Sequence, residues 1–81
     1  MRINVRVFAQ YAEWLGTDHL VLEMPSTATV ADAVRSIRSR DPSGHLIPEE
    51  PLVAVNLEHV RGNRTLADGD ELALLPPLAG G

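Results

Sequence analysis

An α+β fold, a mixed sheet of four to five strands with one main helix across it, is predicted for this 81-residue chain by three observations. Short stretches of alternating apolar and polar residues lie near both ends of the sequence, a central stretch carries the helical period, and turn formers separate them. The apolar share is 44%, with one Trp, one Tyr and one Phe. That composition describes a core of Val, Leu, Ile and Ala in a single domain, near the size at which one core becomes marginal.

The first strand is read over Arg2 to Phe8. Ile3, Val5 and Val7 point to one face and Arg2, Asn4 and Arg6 to the other, so the same alternation leaves Phe8 partly exposed. Ala9 to Leu15 suits a helix of one to two turns, ended by Gly16. His19 to Met24 alternates again, with Leu20, Leu22 and Met24 inward, and Pro25 closes the second strand. Thr29, followed three residues later by Asp32, has the form of an N-cap with an acidic first turn. Val30, Ala33, Val34 and Ile37 then recur at helical spacing and define the main helix. Its other face carries Arg35 and Arg38, with Arg40 near the C-terminal end, as expected of a solvated face and of cations beside the negative end of the helix dipole.

Asp41-Pro42-Ser43-Gly44 stops the helix, and the loop to Pro51 holds three prolines in all and two glutamates. Leu52 to Asn56 is an apolar run of strand length, read as a central strand, and Glu58 to Arg61 suits a short one. Asp68-Gly69-Asp70 makes a turn into Glu71 to Leu75, the last strand. Strand pair, helix, strands and a terminal strand running into a tail fit a β-grasp domain over 1–76, followed by a flexible tail over 77–81. A ferredoxin-like fold would need a second long amphipathic helix and ranks behind it.

The terminal Gly80-Gly81 is the most informative feature for function. Two glycines pack nothing and form a thin thread ending in a carboxylate, able to enter a narrow active site. Chance gives such an ending in about one chain in two hundred. Pro76-Pro77 favours an extended stalk, and from Pro77 to Gly81 an extended chain reaches about 16 Å at roughly 3.3 Å per residue. Leu72 and Leu74 should face inward, leaving Ala73 and Leu75 on the opposite face, where with Phe8 they make an apolar docking patch beside the stalk.

Composition narrows the classes. Net charge is −4, which argues against nucleic acid as a partner and favours a protein with a basic docking face. With no apolar run near membrane-spanning length and no leader pattern, a cytoplasmic protein without membrane attachment is expected. The absence of Cys excludes disulfides, cysteine nucleophiles and persulfides on this chain. All seven basic residues are Arg, at positions 2, 6, 35, 38, 40, 61 and 64. A lysine-free surface would spare an activated Gly81 a competing amine; the simpler explanation is the Arg codon preference of a GC-rich genome. His19, His45 and His59 have no spacing suited to a metal or a catalytic dyad. Asp68 to Glu71 lacks the calcium-loop pattern, Ser26 and Ser43 have no nearby base, and no phosphate loop is present. The chain shows no catalytic constellation of its own.

Val7-Phe8-Ala9-Gln10, the run Leu52 to Asn56, and above all Leu66-Ala67-Asp68-Gly69-Asp70-Glu71-Leu72 leading to Pro76-Pro77 and Gly80-Gly81 resemble the small subunit of molybdopterin synthase. That family is a ubiquitin-like sulfur carrier with the β-grasp fold, and the likeness runs the whole chain. Leu74-Leu75 departs from it, since several relatives carry aromatic residues there. The resemblance implies that Gly81 is the reacting residue, as acyl-adenylate and then thiocarboxylate. It further implies that Phe8, Leu75, Pro76, Pro77, Leu78, Ala79, Gly80 and Gly81 contact partners. Those partners would be the synthase large subunit, in a heterotetramer built on a large-subunit dimer, an adenylyltransferase like a ubiquitin-activating enzyme, and a sulfur donor protein. No cofactor would be bound by the chain itself; ATP and Mg would be used by the activating partner. A carrier for thiamine, tRNA thiolation or cysteine synthesis, a ubiquitin-like protein modifier, and an interaction domain with an incidental diglycine are the alternatives.

Overall fold

Alternation makes the first strand. Along β1 (Arg2–Val7), Ile3, Val5 and Val7 are buried while Arg2 and Arg6 are exposed. The computed structural model describes residues 1–77. After β1 the chain turns into α1 (Ala9–Leu15), which buries Tyr11 and ends at Gly16. Gly16 has φ 74°, and its N–H donates to the carbonyls of Ala12 and Glu13, as a left-handed C-terminal glycine does. The chain returns as β2 (His19–Glu23), with Leu20 and Leu22 buried. Met24, expected inward as part of this strand, lies one residue beyond it, half-buried against the core.

The main helix is α2 (Val30–Arg38), and its start is the capping box read from Thr29 and Asp32. The Asp32 N–H donates to Thr29 Oγ1 at 3.3 Å, and the Thr29 N–H donates to Asp32 Oδ2 at 2.9 Å. Val30, Ala33, Val34 and Ile37 form its buried stripe. Arg40 falls outside the helix, which ends at Ser39. Arg38 differs from expectation in a second way: it is a tether for the following loop. Its Nε donates to the Ile47 carbonyl at 2.6 Å and Nη2 to the His45 carbonyl at 3.3 Å. The loop contains a 3-10 turn (Gly44–Leu46), and Ile47 just after it is fully buried. A single apolar residue among prolines and glutamates has no period to betray it.

The remaining strands are β3 (Leu52–Val55), β4 (Glu58–Val60) and β5 (Glu71–Leu75). The sheet has five strands in the order β2-β1-β5-β3-β4. β1 and β5 run parallel and every other pair is antiparallel, so the sheet is mixed. β3 is interior, although the centre of the sheet is β5. One face packs on α2: Ile3, Val5, Val7, Leu20, Leu22, Val53, Val55, Leu72 and Leu74 join the helix stripe in one core. Each such side chain contributes about 1.5–3 kcal/mol relative to exposure. Among the described residues, no helix covers the other face of the sheet.

Candidate functional site

Parallel pairing of β1 with β5 decides where the last strand ends. Val5 lies opposite Leu72 and Val7 opposite Leu74, so both strands finish at the same edge of the domain. Phe8, one residue past this pair, is still extended, with φ −131° and ψ 156°, and stands level with Leu75. Leu75 lies opposite Leu52 on β3. Phe8, Leu75 and Leu52 therefore form an apolar row across the open face at the point where the chain leaves the sheet. Phe8 is 40% exposed and Leu52 47%, with Leu75 between them half-buried. Ala73 joins this surface one row further in, opposite Ala54.

The expected division of β5 holds, with Leu72 and Leu74 buried and Ala73 and Leu75 on the open side. The patch also holds Leu52, which reading along the chain did not single out. The signal was its place at the start of an apolar run, but only register puts it opposite Leu75. Pro76 is half-buried and Pro77 exposed. Leu78, Ala79, Gly80 and Gly81, also named as site residues, lie outside the described residues.

The opposite end of β5 is pinned by polar bonds. Asn56 Nδ2 donates to Asp70 Oδ1 at 2.9 Å, and the Glu71 N–H donates to Asn56 Oδ1 at 3.0 Å. The Arg2 N–H donates to Asp68 Oδ1 at 2.7 Å and the Ala67 N–H to Asp70 Oδ2 at 2.8 Å. A slip of one residue would turn every side chain of β5 to the wrong face, and these bonds oppose it. They hold both neighbours of β5 in step with it and so fix where its far end emerges. The acids of the Asp68–Asp70 turn are thus spent on backbone and amide donors.

Among the described residues no arrangement for chemistry is assembled where β5 ends. Among the described residues no three His, Asp or Glu gather as metal ligands. His19, His45 and His59 are exposed and far apart in the fold. A groove of 460 Å³ lies between α2 and β4, bordered by Ala31, Val34, Glu49, His59 and Arg61, without a nucleophile and base in contact. Two groups have displaced pKa values. Hydrogen bonds from the Thr29 backbone, and then from Arg35 and the Thr29 hydroxyl, hold Asp32 below its ordinary 3.8; burial raises Tyr11 above 10.0. Both belong to the scaffold. What the described surface offers is an exposed apolar row where β5 ends.

A mixed five-stranded sheet with one main helix across it, its last strand ending beside an apolar row, defines a ubiquitin-like β-grasp protein. Within that class the chain belongs to the ThiS family, whose model matches residues 5–81. It is 34% identical over 83 residues to the molybdopterin synthase sulfur carrier subunit of Chlamydomonas reinhardtii, covering 100% of each chain. It is 33% identical over 92 residues to small archaeal modifier protein 3 of Haloferax volcanii, again over 100% of each. The crystal structure of SAMP1 from Haloferax volcanii superposes with a TM-score of 0.87 at 28% identity, over 100% of both chains.

Proposed function

We propose that this chain is the sulfur carrier subunit of a molybdopterin synthase, with the Gly81 carboxylate as its working group. The observation that carries the reading is the exit of β5 beside the Phe8–Leu75–Leu52 row, which lets a partner grip the domain and receive the tail together. Full-length similarity to a protein named as such a carrier supports it. A carboxylate is a poor electrophile, so it must first be activated. An adenylating partner using Mg·ATP would join the Gly81 oxygen to the α-phosphate, releasing pyrophosphate. Sulfide-level sulfur from a donor protein would then displace AMP and leave a thiocarboxylate. In the large subunit that sulfur would attack the cyclic pterin precursor, and hydrolysis would return the carboxylate, two carriers serving each dithiolene. This chain supplies the docking surface and the acyl group; the catalytic side chains belong to its partners. A cytoplasmic heterotetramer with a large-subunit dimer follows from the same reading.

The test is the intact mass of untagged protein from its own host, where one oxygen replaced by sulfur at the C-terminus is expected. The likeness to small archaeal modifier protein 3 favours one alternative, a modifier joined to target lysines through Gly81. Gly81 in isopeptide bonds, with no thiocarboxylate on the free protein, would establish that alternative and remove the first. A thiocarboxylate without loss of molybdoenzyme activity on gene deletion would assign the carrier to another sulfur pathway.

A further inference from the structure

The strand registers line up five residues from five strands across the open face. Arg6 stands opposite His19 on β2 and opposite Ala73 on β5; Ala73 faces Ala54 on β3, and Ala54 faces His59 on β4. This row lies directly beside the apolar Phe8–Leu75–Leu52 row. Arg6 is its one permanently charged member. Ala73 and Ala54 end at Cβ, so the middle of the row carries no long side chain between the guanidinium and His59.

Of the eleven acidic residues in this chain, alternation brings Glu23 and Glu71 to the open face, both toward the end remote from the tail. Glu23 bonds Arg2 at 3.2 Å, and Glu71 is level with Asn4. Among the described strand residues, the half of the face where β5 ends therefore carries the Arg6 guanidinium and no carboxylate, in a molecule of net charge −4. Arg2, Arg35 and Arg38 each have a carboxylate within 4 Å. Arg6 is exposed and, like Arg40, Arg61 and Arg64, has no such partner among the described residues; what sets it apart is its place on the open face beside the apolar row. The acidic balance of the whole chain thus misstates the local charge of its docking face.

We propose that Arg6 is a specificity determinant of that face, selecting a partner that sets apolar side chains against Phe8, Leu75 and Leu52 and a carboxylate against Arg6. The inference rests on the carrier reading. A carboxylate suits the guanidinium fork, and an arginine within an apolar patch is a frequent anchor of protein interfaces. A partner with the right apolar surface but no acid would bury the guanidinium unpaired, which disfavours it. An acidic residue thereby discriminates among partners that would otherwise grip the same leucines.

The test measures affinity for the purified molybdopterin synthase large subunit encoded in the same genome. Wild type is compared with Arg6→Ala, Arg6→Lys, Arg6→Glu and, as a control, Leu75→Glu. Arg6→Ala is expected to weaken binding about tenfold and Arg6→Glu about a hundredfold, with Arg6→Lys between wild type and Ala. Raising salt from about 0.05 to about 0.5 M should weaken wild type more than Arg6→Ala. Thermal unfolding of the Arg6 variants should match wild type, since the side chain is exposed. Arg6→Glu binding within about twofold of wild type while Leu75→Glu fails would overturn the Arg6 proposal and leave the docking face intact. Failure of wild type itself to bind would overturn the carrier reading and this inference with it.

Discussion

Leu75 and Leu52 meet across neighbouring strands, and neither is needed inside the core that α2 covers. On the proposed carrier reading, their value lies in what they offer a partner. Leu75→Glu is expected to weaken large-subunit binding by about 2–5 kcal/mol if the new carboxylate is buried unpaired, measurable by calorimetry. Asp32 serves the scaffold instead. Because hydrogen bonds lower its folded pKa below 3.8, its contribution is complete above that value and is lost as pH falls through the lowered one. In denaturant unfolding, the stability lead of wild type over Asp32→Asn should be fullest near neutral pH and shrink as pH drops below 3.8. A lead that does not change with pH would show that the carboxylate's charge is not what stabilises the helix start. This capping pair was legible because its partners lie three residues apart. The Phe8–Leu75–Leu52 row was half legible: alternation gave the exposure of Phe8 and Leu75, whereas Leu52 joined them only through register.

Turns show how local chemistry and packing share control of an element. β3 and β4 are joined through Asn56 and Leu57, whose φ values are 50° and 71°. A two-residue turn with both φ positive favours glycine at the second position, and Leu57 there is 92% exposed, so its side chain gains little packing. Leu57→Gly should stabilise the fold by about 0.5–1 kcal/mol in chemical denaturation. No glycine marked this hairpin in the sequence, which is why the turn was read only as a strand end. Gly44 is the opposite case. A Cβ there would stand 2.6 Å from the Ile37 carbonyl oxygen and 2.9 Å from that of Arg38. Gly44→Ala should cost about 1–3 kcal/mol, because the obstructing atoms are backbone. The residue was recognised as a helix stop; its second task, close passage under the helix end, depends on how Arg38 and Ile47 fold the loop back.

Gly81 has no side chain to bury and is the last residue of the sequence. Deleting Gly81 should therefore change unfolding free energy by less than about 0.5 kcal/mol while abolishing sulfur acceptance. A truncated protein that still supported molybdenum cofactor synthesis would refute the carrier reading. The division between fold and function also explains what could be read in advance. The sequence by itself determined the strands, both helices, the capping box and the inward faces, because period, caps and turn residues act over a few neighbours. It also carried enough of the family pattern to point to the β-grasp. Only the tertiary structure decided that β1 and β5 run side by side in parallel, that Ile47 enters the core, that Arg38 ties down its loop, and that Leu52 and Arg6 share the face beside the tail. Those outcomes rest on strand order and register, which are set by burying one common core among segments far apart in the chain, and no local pattern encodes them.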